Sequence, residues 1–326
     1  RLAFMSEKKQ NNGLIKSLGM WDVFAIGMAA MFSSGFFLIP AIAAEDAGLS
    51  LVMAYFFAGL SVFPAMLSIA ELSTAMPKAG GTYYFLDRSL GPIFGTIGGI
   101  GSWLAVTFKS VFALIGMGAY LAYFLDMSVQ NIALILTAAF TVLNIAGAKE
   151  ASGILKAMIW VVLAFCIAYI AYGAYEIDEN KFRAANGIKD WFPNGGEEFL
   201  YSMGLVFVSY AGLTKAASIA EEVRNPDKNM PRGMLLALVG AIVIYIGGVY
   251  VMIAHVGLDG LRGDNESMDG QKLAPAIYAG KEFVHILQTR NASIAISVVA
   301  VIAFAATANA GILSASRYPL ALARDS

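Results

Sequence analysis

Charge is scarce in this sequence. Asp, Glu, Lys and Arg make up 14% of its 326 residues, while 58% are hydrophobic. A soluble domain is usually about a quarter charged, so this chain lacks the ionised side chains to coat a globule. The formal net charge of −1 leaves no basic surplus for nucleic acid. The single cysteine, Cys166, has no disulfide partner and falls inside an apolar run, where packing is its expected role. Metal-ligand clusters, nucleophile–base pairs and phosphate-binding loops are all missing, which argues against an enzyme. No cofactor or metal is expected. Low-complexity segments and periodic repeats are missing too. The first apolar run is too long for a cleavable leader and is followed at once by another. The chain opens on Arg1, and Met5 offers a natural start, so a gene fragment or a shifted boundary is expected.

What the sequence does have is length without charge. A bilayer core about 30 Å thick needs about 20 apolar residues per helix. Eight such spans are expected, at roughly 21–44, 47–72, 89–125, 127–147, 154–175, 197–222, 231–257 and 291–318. The third and sixth are each interrupted by one lysine, Lys109 and Lys215. The runs are far longer than barrel strands and show no alternation of period two. Helices satisfy their own backbone groups where no water is present. The expected fold is an all-α membrane protein, a polytopic helical bundle forming one transmembrane domain over 1–326.

Basic residues in the loops set the orientation. With the N-terminus inside, the inner side carries Lys8, Lys9, Lys16, Lys78, Arg88, Lys149, Lys156, Arg224, Lys228, Arg232, Arg317 and Arg324, mostly in short loops. The outer side carries fewer, in two long and largely acidic loops near 176–198 and 259–290. The N-terminus and the end of the eighth span are therefore expected inside, in the plasma membrane. A short amphipathic helix is expected in the second outer loop, at about 274–287.

Two spans carry small polar residues at mid-depth. The first contains Met31-Phe32-Ser33-Ser34-Gly35-Phe36-Phe37 and then Pro40; the sixth contains Val208-Ser209-Tyr210-Ala211-Gly212-Leu213-Thr214-Lys215. Ser and Gly weaken a helix, and an interrupted helix frees N–H and C=O groups that bind a carboxylate and an ammonium. Each stretch alone also fits close helix packing through small residues. Their occurrence five spans apart favours a transporter binding site.

Between spans two and three run Ala70-Glu71-Leu72-Ser73, Met76-Pro77-Lys78-Ala79-Gly80-Gly81-Thr82-Tyr83-Tyr84 and Gly91-Pro92, a re-entry with a proline break and a glycine hinge. In these residues the chain resembles the amino acid–polyamine–organocation (APC) superfamily of transporters. Ser33-Ser34-Gly35-Phe36-Phe37 resembles that family's Gly-Ser-Gly-Ile-Phe element. Glu71-Leu72 through Gly80-Gly81-Thr82-Tyr83 resembles its Glu-Leu, proline and Gly-Gly-x-Tyr signature. Ala220-Glu221-Glu222-Val223-Arg224-Asn225-Pro226, with Pro231-Arg232-Gly233, resembles its loop after span six. Ser316-Arg317-Tyr318-Pro319 and Ala323-Arg324-Asp325 resemble the inner end of its eighth span. The resemblance implies a LeuT-type fold: five helices repeated in inverted topology, with the first repeat complete and the second lacking its last two helices. It also implies that broken helices one and six hold the substrate. Two positions depart from the pattern. Thr214 stands where the family often has a glutamate, and no lysine lies deep in span five around Ile159–Val162.

The resemblance implies secondary active transport of an amino acid by alternating access. Backbone N–H groups near Ser33, Ser34 and Gly35 would hold the carboxylate. Carbonyls near Val208, Ser209 and Ala211, beside Gly212, would hold the ammonium. Tyr210 and Phe207 would cover the ligand as an aromatic gate. The alternatives are a membrane sensor that binds without moving solute, or a polyamine or amine transporter on the same fold.

Charges within spans bear on coupling. Lys109 shares a helical face with Ser102, Val106, Ser110, Ala113 and Met117. An ammonium at that depth is costly unless paired or hydrated. Desolvation lowers a lysine's pKa, so Lys109 is a candidate for a coupling site, with a structural role as the other reading. Thr307 and Asn309 in span eight are candidates for an ion site beside span one, or for packing hydrogen bonds. Lys215, a turn past the sixth-span break, either snorkels inward or joins Glu222 in an inner gate. His255 is expected at the outer interface. No acidic side chain lies deep in a span to bind sodium. Sodium-independent, proton-coupled transport is the expectation, with the amino acid, the bilayer and a proton as partners.

Overall fold

The computed structural model describes residues 16, 18–76, 81–145, 152–177, 192, 195–262, 274–283 and 289–324. Helices account for nearly all of them. Among the described residues, five stretches are long and apolar enough to cross a membrane: Gly48–Ala75, Pro92–Ala122, Ala157–Tyr175, Pro226–Leu258 and Asn291–Asn309. The chain is a polytopic helical membrane protein. Large apolar side chains such as Ile93, Ile97, Leu134 and Val243 point outward, where a soluble protein would place polar groups, while glycines and alanines pack inside.

The first apolar run, Met20 to Ala47, divides into three helices: α1 (Met20–Met31), α2 (Ser34–Phe37) and α3 (Ile39–Ala47). Phe32 is extended, Ser33 is non-helical (φ −158°, ψ −93°) and Leu38 departs again (φ −129°, ψ −53°). Weak helix formers sit at the first break. After the second, Pro40 enters the first turn of α3, where its missing N–H costs nothing. Gly48 turns the chain at φ 59° into α4 (Leu51–Ala75).

Residues 81–90 form a separate helix, α5 (Gly81–Leu90), which ends at Gly91 with φ 90° before Pro92 opens α6 (Pro92–Ala122). The third span therefore starts later than the apolar run does. Residues 77–80 of the re-entry motif lie outside the described residues. There follow α7 (Val129–Ile145), α8 (Ser152–Tyr175) and α9 (Gly196–Phe207). α10 (Pro226–Arg262) is interrupted at Gly257, φ 69°. The outer amphipathic helix is α11 (Pro275–Phe283); 284–288 lie outside the described residues. Tyr169 donates to Ala276 O over 3.1 Å, and the Lys281 ammonium lies 4.6 and 4.9 Å from the Tyr123 and Tyr278 ring centroids. Burial, then the neighbouring Tyr123 phenol, pushes Tyr278 up to about 12. The eighth run forms α12 (Thr289–Arg324).

The sixth run, expected to be interrupted at its Val208–Lys215 stretch, changes its winding there instead of ending. Its α-helix stops at Phe207, and Val208–Glu222 winds as a 3-10 helix. Fifteen residues is long for this winding. A reason lies in Gly212, whose Cα packs against the carbonyl of Ala30, with no room for a Cβ. Spans one and six thus touch backbone to backbone. Below them, Leu18 and Val223 form an isolated parallel bridge, with Leu18 N–H donating to Glu222 O (3.0 Å) and Arg224 N–H to Leu18 O (2.8 Å).

Candidate functional site

A helix leaves its last carbonyls and first N–H groups without partners of its own. Here the breaks put these orphans in the middle of a bundle. Three tyrosine hydroxyls from three other helices meet three carbonyls. Tyr245 on α10 donates to Met31 O (2.9 Å), Tyr55 on α4 to Gly35 O (2.7 Å) and Tyr120 on α6 to Phe37 O (2.8 Å). All three side chains are fully buried. Tyr210, in the 3-10 segment, donates to Tyr55 O (2.9 Å).

The donor side of the break is less satisfied. The N–H of Ser33 meets no backbone carbonyl among the described residues, and the first-turn N–H groups of α2 have no partner within that four-residue helix. The hydroxyls of Ser33 and Ser209 are buried without a hydrogen-bond partner among the described residues. That of Ser209 lies beside the Tyr55 hydroxyl without hydrogen-bond geometry. Buried polar groups normally find partners. Ser33 and Ser209, one on each irregular span, are exceptions to that rule among the described residues.

The structure brings Ser33, Ser34, Gly35, Ser209, Tyr210 and Gly212 into the buried centre. Ser209 Cβ would lie 2.7 Å from a Cβ added to Gly35, so the two polar stretches meet directly. Phe207 and Val208 turn their side chains outward, 42% and 40% exposed, and Ala211 is exposed too. The rings over the first break belong instead to Tyr245 and Tyr210, 5.2 Å apart between centroids. Phe207 forms no cover in this conformation, because the 3-10 winding begins just after it.

Lys109 is buried on α6, 6% exposed. Tyr120, the residue through which α6 reaches Phe37, is 11 positions away, about 16 Å along a helix. Its position along α6 is therefore well removed from Phe37, and the next residue, Ser110, packs on Gly311 of α12. Thr307 donates to Ala29 O (3.3 Å), and Asn309 is half-buried two residues on. Beside Ala29 and Phe32 lies a small cavity between α1, α8 and α12, bordered also by Ile159, Val162, Ile302 and Ala306, all apolar. Glu222 is half-buried. The side chain of Lys215 lies outside the described residues. His255 Nε2 donates to Gly173 O (2.8 Å), joining α10 to α8.

The sequence reading missed Tyr55, Tyr120 and Tyr245. Each is a hydroxyl-bearing residue in an uncharged span, and a buried tyrosine needs an acceptor. A broken helix supplies acceptors, and that coincidence was the available signal.

Residues 22–326 match the amino acid permease family. An uncharacterized transporter of Mycobacterium tuberculosis is 27% identical, the match covering 96% of this chain and 67% of the relative. Cationic amino acid transporter 9, chloroplastic, of Arabidopsis thaliana is 27% identical over 96% of this chain and 56% of the relative. A branched-chain amino acid permease of Lactococcus lactis is 29% identical over 71% of this chain and 54% of the relative. The chain spans between about half and two thirds of the length of these relatives.

Proposed function

The chain belongs to the amino acid permease family, a family of transporters rather than enzymes, and from that premise we propose that it carries an amino acid across a membrane by alternating access. The supporting observation is the pair of buried, unpartnered hydroxyls, Ser33 and Ser209, where the two irregular spans meet. Backbone N–H groups from Ser33 to Gly35 receive the substrate's carboxylate, and the Ser33 hydroxyl adds a donor. Carbonyls of the 3-10 segment and of Met31 receive the ammonium. Discontinuous helices holding a zwitterion at mid-membrane are a recurrent transporter design. All eight apolar runs cross the bilayer in this reading, with the N-terminus inside and the plasma membrane as the site of action.

Coupling follows from what surrounds Ala29. A sodium ion needs several oxygen ligands to replace its water, and the cavity between α1, α8 and α12 offers apolar walls. The Thr307 hydroxyl proton is already directed at Ala29 O. Both favour sodium-independent transport. The buried Lys109 supports proton coupling, because an ionisable side chain inside a span is expensive to keep there and marks a functional position. The test is uptake of radiolabelled amino acids by the reconstituted protein. Accumulation above the external concentration under an inward proton gradient is expected, and binding without any flux would refute transport.

A further inference from the structure

The ligand position at the first break is filled by the protein itself. Tyr245 lies flat on Phe32, with 5.5 Å between ring centroids and 5° between planes, and donates its hydroxyl to Met31 O. Its Oη and Cζ sit where a side chain on Gly35 would begin, 2.5 and 2.7 Å from an added Cβ. Tyr55 and Tyr210 wall the ring at 5.4 and 5.2 Å. Within the same packing, the Ser33 and Ser209 hydroxyls stay without partners among the described residues. One polar group of the site is thus supplied from within while others wait.

We propose that the Tyr245 hydroxyl is the empty carrier's substitute for the ammonium of an amino acid. It donates to the Met31 carbonyl when the site is unloaded and yields that carbonyl when substrate arrives. This rests on the reading of the two spans as an amino-acid site. An ammonium brings three donors and a full charge, so its bond to a carbonyl is stronger than a phenol's. Loading therefore displaces the tyrosine. Without the phenol, closing an unloaded site would bury the Met31 carbonyl with no partner for that lone pair, which is costly.

The consequence concerns the transport cycle. Net uptake requires the carrier to return empty through a closed state, whereas exchange returns it loaded. The Tyr245 hydroxyl serves only the empty return. Y245F keeps the ring and its stacking on Phe32 but removes the donor. It should slow the empty return and leave the loaded one intact.

The experiment uses the protein in proteoliposomes, with radiolabelled L-leucine and L-arginine in parallel. For Y245F, net uptake into unloaded vesicles should fall about tenfold, the size expected for one lost buried hydrogen bond. Exchange into vesicles preloaded with the same unlabelled amino acid should fall far less than net uptake, so that the ratio of exchange to net uptake rises several-fold, with a lower external KM. A parallel fall in both modes, or unchanged net uptake, overturns the proposal. Binding in detergent gives a second reading. The ligand-induced rise in Tm should be larger for Y245F than for wild type, and an equal or smaller rise overturns the proposal. Wild-type protein inert in both modes with every proteinogenic amino acid overturns the transport reading and this inference together.

Discussion

The Tyr120 hydroxyl donates to the carbonyl oxygen of Phe37 across 2.8 Å, tying the third span to the C-terminal end of the short helix between the two breaks. Both partners are fully buried. Y120F leaves that carbonyl without its donor, at a cost of about 1–3 kcal/mol. Thermal unfolding in detergent should show a Tm several degrees lower. Y175F removes a hydroxyl that is exposed at the end of α8 and should shift stability by no more than about 0.5 kcal/mol. Equal shifts for the two variants would contradict the capping role.

Gly35 has no room for a side chain. Tyr245 and Ser209 already stand within 2.7 Å of where its Cβ would be. Gly35→Leu is therefore expected to abolish amino-acid binding, while Gly101→Leu, on an open face of α6, should bind as wild type does. Isothermal titration of the purified proteins checks both. Undiminished binding by the Gly35 variant would remove the first break from the site.

Gly212 faces the Ala30 carbonyl with nothing between. Gly212→Val must separate the first and sixth spans, and overpacking of this kind typically costs about 1–3 kcal/mol or more. Gly204, earlier in the same span, meets open space, and Gly204→Ala should stabilise α9 by about 0.5–1 kcal/mol. Opposite signs of the Tm shift are the expected result.

Replacing sodium by choline should leave uptake unchanged, because the cavity beside Ala29 is apolar. An inward proton gradient should raise it. Lys109→Met fixes a neutral side chain at a buried position and should flatten the dependence of uptake on pH. Strict sodium dependence, or a wild-type pH profile in the variant, would exclude this form of coupling.

The first break was legible because it is local. Ser33, Ser34 and Gly35 are poor helix formers in a span that is otherwise apolar, and the chain departs from helix there. The sixth span was harder to read. Its change of winding starts at Val208, four residues before Gly212, and the close approach of Gly212 to the Ala30 carbonyl is a contact with another helix. Long-range packing also hid the tyrosine caps. Tyr55 and Gly35 are 20 residues apart, Tyr120 and Phe37 83, and Tyr245 and Met31 214. Lys109 stood out as a charge in an apolar run, yet depth along a helix depends on register against its neighbours. The contacts of Ser110 with Gly311 and of Gly116 with Phe304 set that register, and nothing within α6 announces it.

The bridge between Leu18 and Val223 limits how the first and sixth spans can move apart. Gly19 caps α1 immediately after Leu18, and the 3-10 segment ends at Glu222, just before Val223. Arg224 adds a third strut, its Nε donating to Lys16 O over 3.2 Å. These hydrogen bonds tie the start of α1 to the end of the 3-10 segment. A movement of either end that leaves the other in place must break these bonds, so the cheaper displacement carries both together.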